Sequence, residues 1–183
     1  MRVKGIFRPS DYPGNPAEAE ALFAALCPGM SDPQIDRDHA GLAIAAHQPR
    51  LALLLSQLSR FLALDTGWGQ RADLRELAIQ TVNLHFGCGY GFAARMRPAD
   101  AAWLSAEMLA ALPFWRHSPL FDAEQRLVIE YAHAVASGDV PAPLFARIRD
   151  AYGERGAVEC TSIIALWSFW AMMLNAMGPD RDA

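Results

Sequence analysis

A chain of 183 residues, 52% of them hydrophobic, is long enough for one domain with a sizeable core and short for two of ordinary size. Sixteen basic against twenty acidic residues give a formal net charge of -4, and no block of Lys or Arg offers a phosphate backbone its electrostatic footprint, which argues against nucleic acid as a partner. Lys4 is the only lysine, which nearly excludes Schiff-base chemistry, and Cys27, Cys88 and Cys160 are spaced for neither a disulfide framework nor a zinc knuckle, as fits a reducing cytoplasm.

Residues 1–14 carry positive charge with no apolar run behind it, so they read as an extended arm rather than a secretory signal. Asn15, Pro16 and Glu18 have the types of an N-cap, a first helical residue and a capping-box acid, predicting a helix that ends before Cys27-Pro28-Gly29. A second helical segment is expected from about Pro33, carrying His39, Leu42 and Ala46. After His47, Pro49 restarts a stronger one with Leu51, Leu54, Leu55, Leu58, Phe61 and Leu62 on one face. Asp65 to Gly69 is a loop by its glycines, and Asp73 with Glu76 can form a capping box for a helix running to about Phe86.

The glycines of GCGYG, residues 87–91, predict a break, with a new helix starting near Tyr90 and reset by Pro98. Ser105 caps a helix through Ala111, and Asp122 with Gln125 opens another that Gly138 closes. Pro143 to Tyr152 is a further helix stopped at Gly153, and the last runs from about Ala157 to Met177. Cys160 to Pro179 holds no charge, but Thr161, Ser162, Ser168 and Asn175 interrupt it, and the strongly apolar part, Ile163 to Leu174, suits a buried or subunit-contact helix better than a membrane span. Seven or more helices with no repeat predict an all-α bundle, a single domain over 15–178 with a tail at 179–183.

HExxH, GxSxG, the Walker lysine motif and CxxC are all missing. What remains is RELAIQTVNLHFGCGYGFAAR, residues 75–95, dense in polar groups for an apolar neighbourhood. Glu76, Gln80 and Asn83 share one helix face, while Cys88 and Tyr90 fall at the next helix N-terminus, where unpaired amides favour a thiolate. Each residue also has a structural reading. Glu76 can serve only the capping box, Cys88 can be a small buried hydrophobe, His85 can hydrogen-bond at a helix end, and Arg95 with Arg97 can be a solvated pair.

This stretch resembles the core motif of the carboxymuconolactone decarboxylase family, which includes the alkylhydroperoxidase D proteins. Members carry a Glu in an R-E-L-type helix, a Cys or small residue twelve positions on, commonly a Tyr two further, and a His nineteen after the Glu; here those positions hold Glu76, Cys88, Tyr90 and Arg95. The likeness continues through FDAEQRLVIEYAHAVASGDVPAPLFARI and GAVECTSIIALWSFWAMMLNAMG, covering roughly residues 45 to 178. The peroxidase branch uses Cys-x-x-Cys with a His four residues after the second Cys, and Gly91 and Arg95 stand in those places. A disulfide cycle therefore cannot close locally, and a guanidinium, charged at any working pH, cannot shuttle the proton.

The resemblance implies an alkylhydroperoxidase D-like bundle and an enzyme acting by acid/base chemistry on a small carboxylated or lactone-type metabolite, as a lyase or isomerase. Glu76 would be the acid/base, His85 or Tyr90 the second relay, Cys88 a further catalytic candidate, and Arg95 with Asn83 the substrate-binding groups. The alternatives are a thiol antioxidant using Cys88 alone, or a non-catalytic binding protein on the same fold. No metal or organic cofactor and no membrane partner is implied, and a cytoplasmic homo-oligomer (dimer, trimer or hexamer) is expected. Glu76, Cys88 and Tyr90 are expected to line one cavity with His85 at its edge.

Overall fold

The structure, a computed structural model, describes residues 2–178; the expected tail at 179–183 lies outside them. Every regular element among the described residues is helical, as the apolar spacing predicts, and they fall into two compact units, 2–60 with 173–178, and 61–172.

In the first unit, Asn15 accepts a hydrogen bond from the Ala17 amide and Pro16 occupies the first helical position of α1 (Pro16–Leu26). Glu18 does not close the expected capping box, because the Tyr12 hydroxyl donates to its carboxylate at 2.9 Å. The helix expected from Pro33 begins later. Asp36 takes the Asp38 amide and starts a 3-10 turn, Arg37–His39, which leads into α2 (Ala40–Ala45). The arm is tied down by backbone bonds from Arg2 to Met177, Ile6 to Ala43 and Ile35 to Phe7. Ile6, Leu22, Phe23, Ile35 and Ile44 form its interior. From α3 (Pro49–Arg60) the interior takes only Ala52, while Leu51, Leu54 and Leu58 are exposed.

The second unit holds α4 (Ala72–His85), α5 (Gly89–Ala94), α6 (Met96–Ala101), α7 (Ala106–Ala111) and α8 (Ala123–Ser137). Ser105 caps α7 through the Met108 amide, and Asp122 and Gln125 cap α8 reciprocally. Gly138, at φ 74°, ends α8 in the left-handed conformation that glycine adopts without strain. The helical run Ala142–Met177 is interrupted at Gly153 (φ 70°, ψ 174°), giving α9 (142–152) and α10 (154–177). Gly153 is the one non-helical residue there, so α10 starts at 154 rather than at Ala157. By length and composition alone this run is apolar enough to cross a membrane. Within the second unit it buries Ala157, Cys160, Ile163 and Ile164, and Thr161 meets the Tyr131 hydroxyl of α8 at 2.7 Å. Leu77, Leu104, Leu112, Trp115, Phe121 and Ile129 make the core that seats α4 beside α8.

Candidate functional site

α4 is buried over most of its circumference, including Leu74 and every residue from Glu76 to Asn83, so its polar side chains must find partners inside the protein. The expected Asp73–Glu76 capping box does not form. Asp73 accepts instead from Nε and Nη2 of Arg71, and Glu76 turns inward to 0% exposure. Burying a carboxylate is opposed by several kcal/mol of lost hydration unless charge and hydrogen bonds replace the water. Two guanidiniums do so here. Arg75 Nε donates to Glu76 Oε1 at 3.1 Å, Arg95 Nε donates to Oε2 at 3.0 Å, and Arg95 Nη2 donates to Oε1.

Arg75 is held in turn by the carbonyls of Ala63 (2.8 Å) and Gly69 (2.6 Å). Arg95 caps the C-terminus of α5, and its guanidinium carbon lies 5.8 Å from the centroid of the Trp167 ring on α10. It is therefore not a solvated partner of Arg97; its fork is fixed on Glu76 from the opposite side of the GCGYG break. With two guanidiniums to one carboxylate the cluster carries a formal charge of +1, and Arg95 brings part of that charge to the surface at 24% side-chain exposure.

The shared face of Glu76, Gln80 and Asn83 is formed as expected. Asn83 Nδ2 donates to Gln80 Oε1 (3.3 Å), and Gln80 Nε2 donates to the Phe92 carbonyl (3.0 Å), so the strip ties α4 to α5. Cys88 is the N-cap of α5, and its sulfur accepts from the Gly91 amide at 3.4 Å. The expected thiolate is not favoured by this place. Cys88 is buried, and burial pushes its thiol above the ordinary value against the opposing pull of the Gly91 amide. Cys160 is pushed up further by burial alone, and all three cysteines are free. At Gly91 a Cβ would lie 2.5 Å from Asn83 Oδ1 and 3.0 Å from the Cys88 sulfur, so the amide of Asn83 fills the space that a side chain here would need.

His85 stands outside this group. It is exposed at the end of α4, and its Nδ1 lies 3.3 Å from Nδ1 of His133 on α8. Tyr90 is half-buried in the first turn of α5. A cavity of about 370 Å³ in the same unit is lined by Asp73, Ala102, Trp103, Leu104 and Gln125, among others, and by none of Glu76, Cys88, Tyr90 or His85. Sequence reasoning missed Arg75, His133 and Trp167. Arg75 was visible in the R-E-L stretch, whereas His133 and Trp167 come from helices whose local spacing gives no sign of the contact.

No protein-family model matches the chain. A stretch of 75 residues is 36% identical to the uncharacterized protein YnjA of Escherichia coli (strain K12). It covers 40% of this chain and 41% of that protein, so the similarity concerns less than half of either length.

Proposed function

We propose that this chain, as a cytoplasmic homo-oligomer, binds a small carboxylated metabolite at Arg95 on a carboxymuconolactone decarboxylase-like bundle. The observation that carries the reading is the two-point grip of Arg95 on buried Glu76. That grip fixes the guanidinium plane. It leaves Nη1 without a protein partner among the described residues and a formal charge of +1 in the cluster, which suits a carboxylate approaching the exposed edge. Glu76 is in this reading a positioning residue. The thiol-antioxidant alternative has less support, since a buried thiol held above its ordinary pKa is a poor nucleophile at neutral pH.

One observation favours a second reading, acid/base chemistry like that of the decarboxylases. Glu76 and an incoming carboxylate would compete for one guanidinium, so a substrate that takes over the fork frees Glu76 as an acid/base beside it. A thermal-shift screen of small aromatic and lactone acids, run on wild type, Arg95→Lys and Glu76→Gln, tests both. Binding predicts that acids stabilise the wild type and stabilise Arg95→Lys much less, because an ammonium cannot reproduce the planar fork. Chemistry predicts in addition that Glu76→Gln still binds the acid but no longer converts it. Equal stabilisation of wild type and Arg95→Lys contradicts the anchor role.

A further inference from the structure

His85 closes α4 and His133 lies within α8, 48 positions later, yet their Nδ1 atoms are 3.3 Å apart. The ring centroids are 5.5 Å apart with planes at 52°, and Phe86 meets the His85 ring edge-on at 5.0 Å. In the resting pair one ring donates Nδ1–H to the other. Moving that proton to Nε2 of the same ring turns both Nδ1 atoms into lone-pair donors on neutral imidazoles, with no net proton released.

We propose that His85 and His133 form a binding site for a tetrahedral divalent metal ion of the zinc class, coordinated by both Nδ1 atoms and completed by water or a small anion. Zinc–nitrogen bonds of about 2.0–2.1 Å at a tetrahedral angle put two ligand nitrogens roughly 3.3–3.4 Å apart, whereas adjacent positions of a square or octahedral site would put them at about 2.8–3.0 Å. The observed 3.3 Å matches the tetrahedral edge. His85 is also the last residue of α4, where the helix dipole favours a cation.

Two features limit the affinity. Among the described residues no third His, Cys, Asp or Glu joins the pair, so the ion is exchangeable rather than structural. Arg116, whose guanidinium lies 4.4 Å from the Trp115 ring centroid, is the charged group that acts on His133, and it favours an anion among the remaining ligands.

Calorimetric titration of the full chain with ZnCl2 at neutral pH, after chelator treatment, tests the site. One equivalent should bind and shift the ring-proton NMR signals of two of the five histidines in the wild type. His85→Asn and His133→Asn should each weaken binding at least ~10-fold, and Arg116→Gln should strengthen it. With Co2+ as probe, an intense visible spectrum should report tetrahedral coordination. No zinc uptake at millimolar concentration, unchanged histidine signals, or affinity lost only on Cys27→Ser would overturn the proposal. The wild-type NMR result decides the matter even if a variant fails to fold.

Discussion

The structure gives Arg95 a task that no titratable ring could hold at all pH values: compensating a fully buried carboxylate. Arg95→Ala should therefore lower unfolding free energy by ~3–5 kcal/mol in urea denaturation, because Glu76 would stay buried with only Arg75 beside it. Arg95→Lys should lose less, keeping charge without the fork. A change under ~1 kcal/mol for the alanine variant would mean that Glu76 finds water or another partner. At Cys88 the raised thiol predicts slow alkylation of the native protein at neutral pH. The rate should rise only at pH values above those at which a free thiol reacts, since the thiolate is the nucleophile and its onset moves up with the pKa. Alkylation at neutral pH as fast as a free thiol's would contradict this.

The spacing of polar groups marked Glu76, Gln80 and Asn83 as one face, and the structure puts all three inside. The sequence could not show which way Arg75 and Arg95 turn. That choice depends on the carbonyls of Ala63 and Gly69 and on the Trp167 ring, which reach the cluster from other elements.

Among the elements, the best-read boundaries are those fixed by a local chemical device. Asn15, Ser105, Asp122 and Gly138 act where their types predict, because a cap needs only partners three or four residues away. The Asp73–Glu76 box fails for the opposite reason: Arg71 at Asp73, and the half-buried guanidiniums of Arg75 and Arg95 at Glu76, bind the two carboxylates more strongly than helix amides would. GCGYG was legible as a break, and Gly87, at φ 60°, makes it. Gly91 has a different role, which local sequence does not reveal, as the point where α5 closes on Asn83. Gly91→Ala should destabilise the protein by ~1–3 kcal/mol, since Asn83 would have to shift. Wild-type stability in that variant, measured by thermal unfolding, would show that the strip from Asn83 to Phe92 yields freely.

At the scale of the whole molecule, all-α architecture was readable from the helical period, whereas the fate of the apolar faces was not. A stripe such as Leu51, Leu54 and Leu58 reads as core in any amphipathic pattern, yet these residues are exposed and Ala52 is buried. On α10, Val158 at 65% and Met172 at 52% exposure lie on one side with Phe169, a pattern that fits the expected homo-oligomer. Sedimentation velocity should find the wild type associated and Val158→Glu/Met172→Glu shifted to the monomer. A wild type that is monomeric at tens of micromolar would count against self-association.

The central claim, that Arg95 recognises a ligand by its carboxylate charge, is tested most directly on the unaltered protein. Titration calorimetry would compare the acid that gives the largest thermal shift with its own primary amide, a pair that differs in charge but hardly in shape. Losing a charge-assisted contact to a partly desolvated guanidinium is worth ~2 kcal/mol or more, so the amide should bind at least ~30-fold more weakly, and the preference should shrink as salt is raised. Equal affinities for acid and amide, unchanged by salt, would contradict the account.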